Sequence, residues 1–166
     1  MVTFIKRMIR AVVLDAELYE EIPVNHNYIY QSIILLFISS LATGIACYPD
    51  DGVFGFILVT IIAIFCWILW GFLTFFISDL LMRSEDQSVD IKEVIRITGF
   101  ASAPGIIRFF GIFPGLYGIV FFISGIWMLV TMAMTIKHAY EFDMLRALSV
   151  SLIGGIIPSG IFVIFL

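Results

Sequence analysis

Charge is scarce in this chain. Of 166 residues, 9 are Lys or Arg, 13 are Asp or Glu and 2 are His, so that charged residues make up 13%. A soluble globular domain carries about 25%, and that fold class is excluded. Cysteine is scarce too, with only Cys47 and Cys66. His26 and His138 fit no metal-ligand spacing. The chain has no glycine-rich phosphate loop, no nucleophile elbow and no paired carboxylates inside an apolar run. These absences leave no candidate catalytic, cofactor-binding or metal-binding residue, so an enzyme is not expected. The small net charge of -4 argues against a nucleic-acid partner.

What the chain has in place of charge is apolar length. Hydrophobic residues make up 61% and the mean hydropathy is +1.11. A ~30 Å hydrocarbon core needs about 20 apolar residues to cross it as a helix. The segment Val53 to Ile77 offers 25 residues without one charge. Four more candidate spans follow from the same reading: Tyr28 to Cys47, Val94 to Gly111, Gly115 to Ile136 and Leu148 to Leu166. The acidic turn YPDDG, residues 48–52, separates the first two. Residues 109–136 are continuously apolar, and only Pro114 with Gly115 argues for a break there. Cys47 falls near the outer end of its span and Cys66 near the middle of the next, so no disulfide is expected between them.

Cation placement supports the division into five. With the N-terminus inside, the inner side receives Lys6, Arg7, Arg10, Arg83, Lys92, Arg96, Lys137 and Arg146, and the outer side only Arg108. The sequence therefore predicts an all-α, polytopic membrane protein in a single membrane domain. It has five transmembrane helices, a cytoplasmic N-terminus and an extracytoplasmic C-terminus, and it lies in the cell (inner or plasma) membrane.

Residues 2–22 are too charged for a cleaved signal peptide. Ile5, Met8, Ile9, Val12, Ala16 and Tyr19 share one helical face, and the charges lie elsewhere. The expectation is one amphipathic interfacial helix on the inner leaflet. Its Lys6, Arg7 and Arg10 are placed to touch anionic lipid or a partner. Asp79, with Arg83 four residues on, marks the inner end of the second span, and both are candidate partner or lipid contacts on the hydrophilic loop 78–92.

The third span carries the most unusual stretch, TGFASAPGIIRFF at 98–110. Gly99, Ala101, Ala103 and Gly105 are small enough for a neighbouring helix to approach closely, and Pro104 predicts a kink. Arg108 falls about three residues from the outer end. Two fates are open to it: its side chain reaches lipid headgroups, or it pairs with Asp50 and Asp51.

Residues 94–154 resemble the Ypt-interacting protein (Yip) domain family of five-span membrane proteins. The resemblance is carried by Gly99, Phe100, Pro104, Trp127, Arg146 and Ala147. It implies a cytoplasmic N-terminus, five helices and a C-terminus on the far side. Eukaryotic members bind Rab-type GTPases through a long cytosolic N-terminal region. Here about 27 residues precede the first span, and VNHNYIYQSI has no counterpart of the Asp-Leu-Tyr-Gly-Pro motif. The resemblance is thus to the minimal, prokaryotic form, and Rab-type GTPase binding is not carried over.

Two functions fit these features. One is a membrane scaffold or adaptor that binds lipids, other membrane proteins or further copies of itself, as an accessory subunit or in membrane organisation or trafficking. The other is a small transporter, channel or lipid-moving protein gated by the kinked third helix.

Overall fold

Long uncharged runs can satisfy their backbone donors and acceptors in hydrocarbon only within helices. The computed structural model, which describes residues 2–82 and 91–164, is accordingly all-α, with no strand among the described residues. In chain order the α-helices are α1 (Val2–Val12), α2 (Ala16–Val24), α3 (Ile29–Met82), α4 (Ile91–Ala101), α5 (Tyr117–Tyr140) and α6 (Met144–Ile164). Short 3-10 helices occupy His26–Tyr28 and Ala103–Ile112.

Three helical stretches are long and apolar enough to cross a membrane: His26–Leu81, Tyr117–Tyr140 and Met144–Ile164. The first is two limbs rather than one rod. Gly52 has φ 63° and ψ -154°, a conformation essentially reserved for glycine. Beyond it the chain runs back alongside itself, so that a Cβ added at Gly44 would meet the Phe56 carbonyl and the Thr60 hydroxyl. The acidic turn is therefore where the chain reverses, although the helix continues past Cys47 to reach it. A second reversal falls at Gly115, with φ 82°, and α5 starts just after it.

Between these lies the pass that departs most from expectation. Instead of one kinked α-helix over 94–111, the α-helix stops at Ala101. From Ala103 the chain winds as a ten-residue 3-10 helix. Pro104 sits at the start of this segment, where its missing N–H removes no interior bond. Ser102 covers the junction by donating its hydroxyl to the Gly99 carbonyl at 2.6 Å. Eleven residues at about 1.5 Å and ten at about 2.0 Å give this pass a length of roughly 36 Å.

Contacts along the elements set their directions. Gly99 packs on Ser32, Gly105 on Ser39 and Gly111 on Ala46, so the third pass runs parallel to the first limb. The hydroxyl of Thr131 in α5 donates to the Ala101 carbonyl, whereas Arg108 meets Ser124. That makes α5 antiparallel to the third pass. Arg146, at the start of α6, donates to the Leu81 carbonyl at the end of the second limb. Among the described residues five helical segments thus alternate in direction, with Phe100, Ala101 and Ala103 of the third fully buried among them.

The N-terminal segment also differs from the single helix expected over 2–22. Leu14 adopts a left-handed conformation, φ 61°, and Asp15 caps α2 by accepting from the Leu18 amide. The segment is therefore a helical hairpin. It folds onto the bundle, burying Ala11, Leu18, Tyr19 and Ile22 completely. The carbonyls at the end of α1 have no partner within their own helix; amides of residues 13–15 meet those of Ile9, Arg10 and Ala11, and two carbonyls are met by side chains. Tyr19 donates to the Ala11 carbonyl at 2.7 Å, and the Trp127 indole of α5 donates to the Val12 carbonyl at 2.8 Å. The expected apolar face is split by this arrangement. Met8, Val12 and Tyr19 pack against the core, while Ile5 and Ile9 stay exposed.

Candidate functional site

In a 3-10 helix side chains three residues apart eclipse one another. Gly105, Arg108 and Gly111 are so spaced, and both glycines pack inward, on Ser39 with Met128 and on Ala46 with Phe121. The winding that makes this helix therefore turns Arg108 toward the interior as well. An α-helix would have rotated it about 60° away from Gly105.

The guanidinium is held by hydroxyls and rings. Nε donates to Ser124 Oγ at 2.9 Å, and Nη1 donates to Thr43 Oγ1 at 3.4 Å. Each hydroxyl passes its own proton to a backbone carbonyl, Ser124 to Phe121 and Thr43 to Ser39. The rings of Phe121 and Phe162 lie 4.9 and 5.5 Å from the guanidinium carbon. Among the described residues no carboxylate lies within 4 Å of Arg108. The two fates open to it in the sequence are both replaced: Asp50 and Asp51 stay exposed and unpaired with it, and the side chain points into the bundle instead of toward headgroups.

Arg108 borders a cavity of about 130 Å³ between the second limb and α6, several times the ~15 Å³ that one water requires. Trp67 and Trp70, stacked 4.9 Å apart, form one wall. Pro158, Phe162 and Val163 form the other, and Met128 closes the base. A cation inside a membrane protein costs about 3 kcal/mol even on the lenient insertion scale. Among the described residues no ion pair offsets that cost at Arg108.

The remaining candidates are placed as follows. Gly99, Ala101, Ala103, Pro104 and Gly105 are all buried in the third pass. Lys6 is exposed. Arg7 donates to Gln31 at 3.2 Å and stacks over Tyr28. Arg10 pairs with Asp15 at 2.6 Å and lies 3.7 and 3.6 Å from Glu17 and Glu21. The hydrogen bond with Asp15 raises the Arg10 pKa, and the same bond lowers that of Asp15 below the ordinary carboxylate range. Two of the three N-terminal cations are thus engaged within the chain rather than offered to lipid. Asp79 is exposed, and Arg83 lies outside the described residues. Cys47 and Cys66 are both free thiols. Among the described residues no group of three His, Cys, Asp or Glu side chains is placed to hold a metal ion.

Sequence reasoning missed Thr43, Ser124, Phe121, Phe162 and the Trp67–Trp70 wall. The available signal was the three-residue spacing of Gly105, Arg108 and Gly111. Comparison with family models, curated proteins and solved structures finds no match to this chain. The Yip likeness accordingly rests on the residues quoted for it above.

Proposed function

We propose that this chain crosses a membrane five times, with its N-terminus cytoplasmic, and acts as a non-catalytic binding protein of the scaffold type. Its internal site takes an anionic group at Arg108. Support for five crossings comes from the alternating directions of the passes and from the third pass having the length a bilayer requires. The observation that carries the binding function is the inward guanidinium, held by two neutral hydroxyls, facing a cavity and with no carboxylate within 4 Å among the described residues.

The test is thermal unfolding in mild detergent with inorganic phosphate added. An anion bound to the folded state alone raises the midpoint with concentration. The rise is expected in the wild type and absent in Arg108→Gln. Equal rises in both proteins defeat the proposal.

A second reading, a small transporter or lipid-moving protein, is favoured by the 3-10 winding of Ala103–Ile112, because such stretches mark hinges. Flux through reconstituted vesicles that is lost when Gly99→Leu is introduced into a still-folded protein separates it from the first.

A further inference from the structure

We infer that the anion at Arg108 is the headgroup of a membrane amphiphile, a phosphate or carboxylate carrying an apolar tail, which enters sideways between the second limb of α3 and α6. The inference rests on the anion-binding reading above and specifies its ligand. Three observations carry it.

The first is the aromatic surround of the guanidinium. The rings of Phe121 and Phe162 lie 6.3 Å apart beside it, and Tyr117 stacks on Phe121 at 4.3 Å. Gly111 lies against Ala46, Phe121 and Tyr117. Arg108 therefore meets rings on the side toward Ile112, and Met128 also lines the cavity.

The second is where the cavity does open. Its inner lining is buried, with Trp67 4% and Cys66 7% exposed, whereas Val163 on the facing helix is 72% exposed. Ser159 is exposed at the same mouth. Both helices that frame this mouth, the second limb of α3 and α6, belong to stretches long and apolar enough to cross a membrane. An opening so bordered faces hydrocarbon. A lipid arrives by that route with its tail already in the right solvent.

The third is the free hydrogen-bonding capacity. Nε and Nη1 are engaged, and Nη2 donates to no group among the described residues. Its two N–H groups suit one oxyanion, whose bond to a guanidinium is charge-assisted. The depth agrees: Arg108 stands four residues before Ile112, about 8 Å of 3-10 rise. That is within reach of a headgroup drawn slightly inward.

Trp67 and Trp70 provide the readout. The full chain is placed in phosphatidylcholine vesicles doped with tail-brominated phosphatidylglycerol, or with tail-brominated phosphatidylcholine at the same fraction. With Trp127 replaced by Phe throughout, quenching of Trp67 and Trp70 then reports tail occupancy of the cleft. The wild type is expected to favour the anionic lipid about tenfold, the scale of one charge-assisted hydrogen bond. Arg108→Gln abolishes the preference and Arg108→Lys retains part of it. Brominated stearate tested against its methyl ester distinguishes a carboxylate head from a phosphate one, and preference for either anion over its neutral counterpart supports the inference.

Equal quenching by anionic and neutral lipids in the wild type overturns it, as does a preference that survives in folded Arg108→Gln. In either case an Arg108-dependent stabilisation by inorganic phosphate leaves the broader anion reading standing. Should Arg108→Gln fail to fold, Ser159→Leu decides, because it obstructs the exposed mouth and leaves the cation in place. Loss of the preference in that variant supports lateral entry, and full retention refutes it.

Discussion

Arg96 and Arg108 stand on the same pass, and the chain treats them in opposite ways. Arg96, on the α-helical half, is 2% exposed. It donates to the Ile22 carbonyl at 3.0 Å and lies 3.4 Å from His26 Nδ1. It caps the C-terminal end of α2, where backbone carbonyls lack partners, and so fastens the N-terminal hairpin to the bundle. Arg108, on the 3-10 half, meets hydroxyls and rings among the described residues and borders open volume. One arginine is consumed by the fold and the other is kept available within it. Burial alone does not distinguish structure from function. The nature of the partners does.

The largest effect that sharpens this contrast is expected from Arg96→Ala. It leaves a buried carbonyl unmet and unties the hairpin, lowering stability by about 3 kcal/mol. Thermal unfolding in detergent measures the loss, and limited proteolysis should show new cleavage near residues 13–15. A loss below about 1 kcal/mol breaks the comparison.

Trp127→Phe comes next. It keeps the ring but removes the donor to the Val12 carbonyl, a loss of about 1–2 kcal/mol, with the same cleavage pattern at lower rate. Arg108→Met should have the opposite sign. Ser124 and Thr43 still donate to carbonyls without the arginine, and the desolvated charge is gone, so the ligand-free protein should gain about 1 kcal/mol. A marked destabilisation would return Arg108 to a structural role.

The smallest effect concerns pH. Because Arg10 lowers the pKa of Asp15, their pairing stabilises the hairpin above the unfolded aspartate value of about 3.9. That contribution fades as the pH drops through the lower folded value. Protease sensitivity at the α1–α2 bend should therefore rise on acidification below about pH 4 in wild type. Asp15→Asn should show the raised sensitivity already at neutral pH.

The reversals at Gly52 and Gly115 were legible because glycine and proline interrupt apolar runs where the backbone must take a conformation other residues avoid. The apolar runs themselves announced helices for the same solvation reason. The bend at Leu14 was not legible, since leucine has no preference for a positive φ and is held there by neighbours on other elements. Asp15, a residue type suited to an N-cap, was the clue that α2 starts afresh. The direction of Arg108 was hidden for a different reason. It depends on whether ten apolar residues wind with three or 3.6 per turn, and composition does not decide between those windings. Tertiary packing of Gly105 and Gly111 does.

The indole bond from Trp127 to Val12 joins positions 115 apart in sequence. During synthesis the hairpin emerges before either helix that seats it. At about 5–20 residues per second the wait for Trp127 is roughly 6 to 23 s. Until α4 brings Arg96 to the Ile22 carbonyl, 74 residues on, the hairpin's apolar side has only itself to rest on. Its seat is then completed in two stages, by α4 and afterwards by α5.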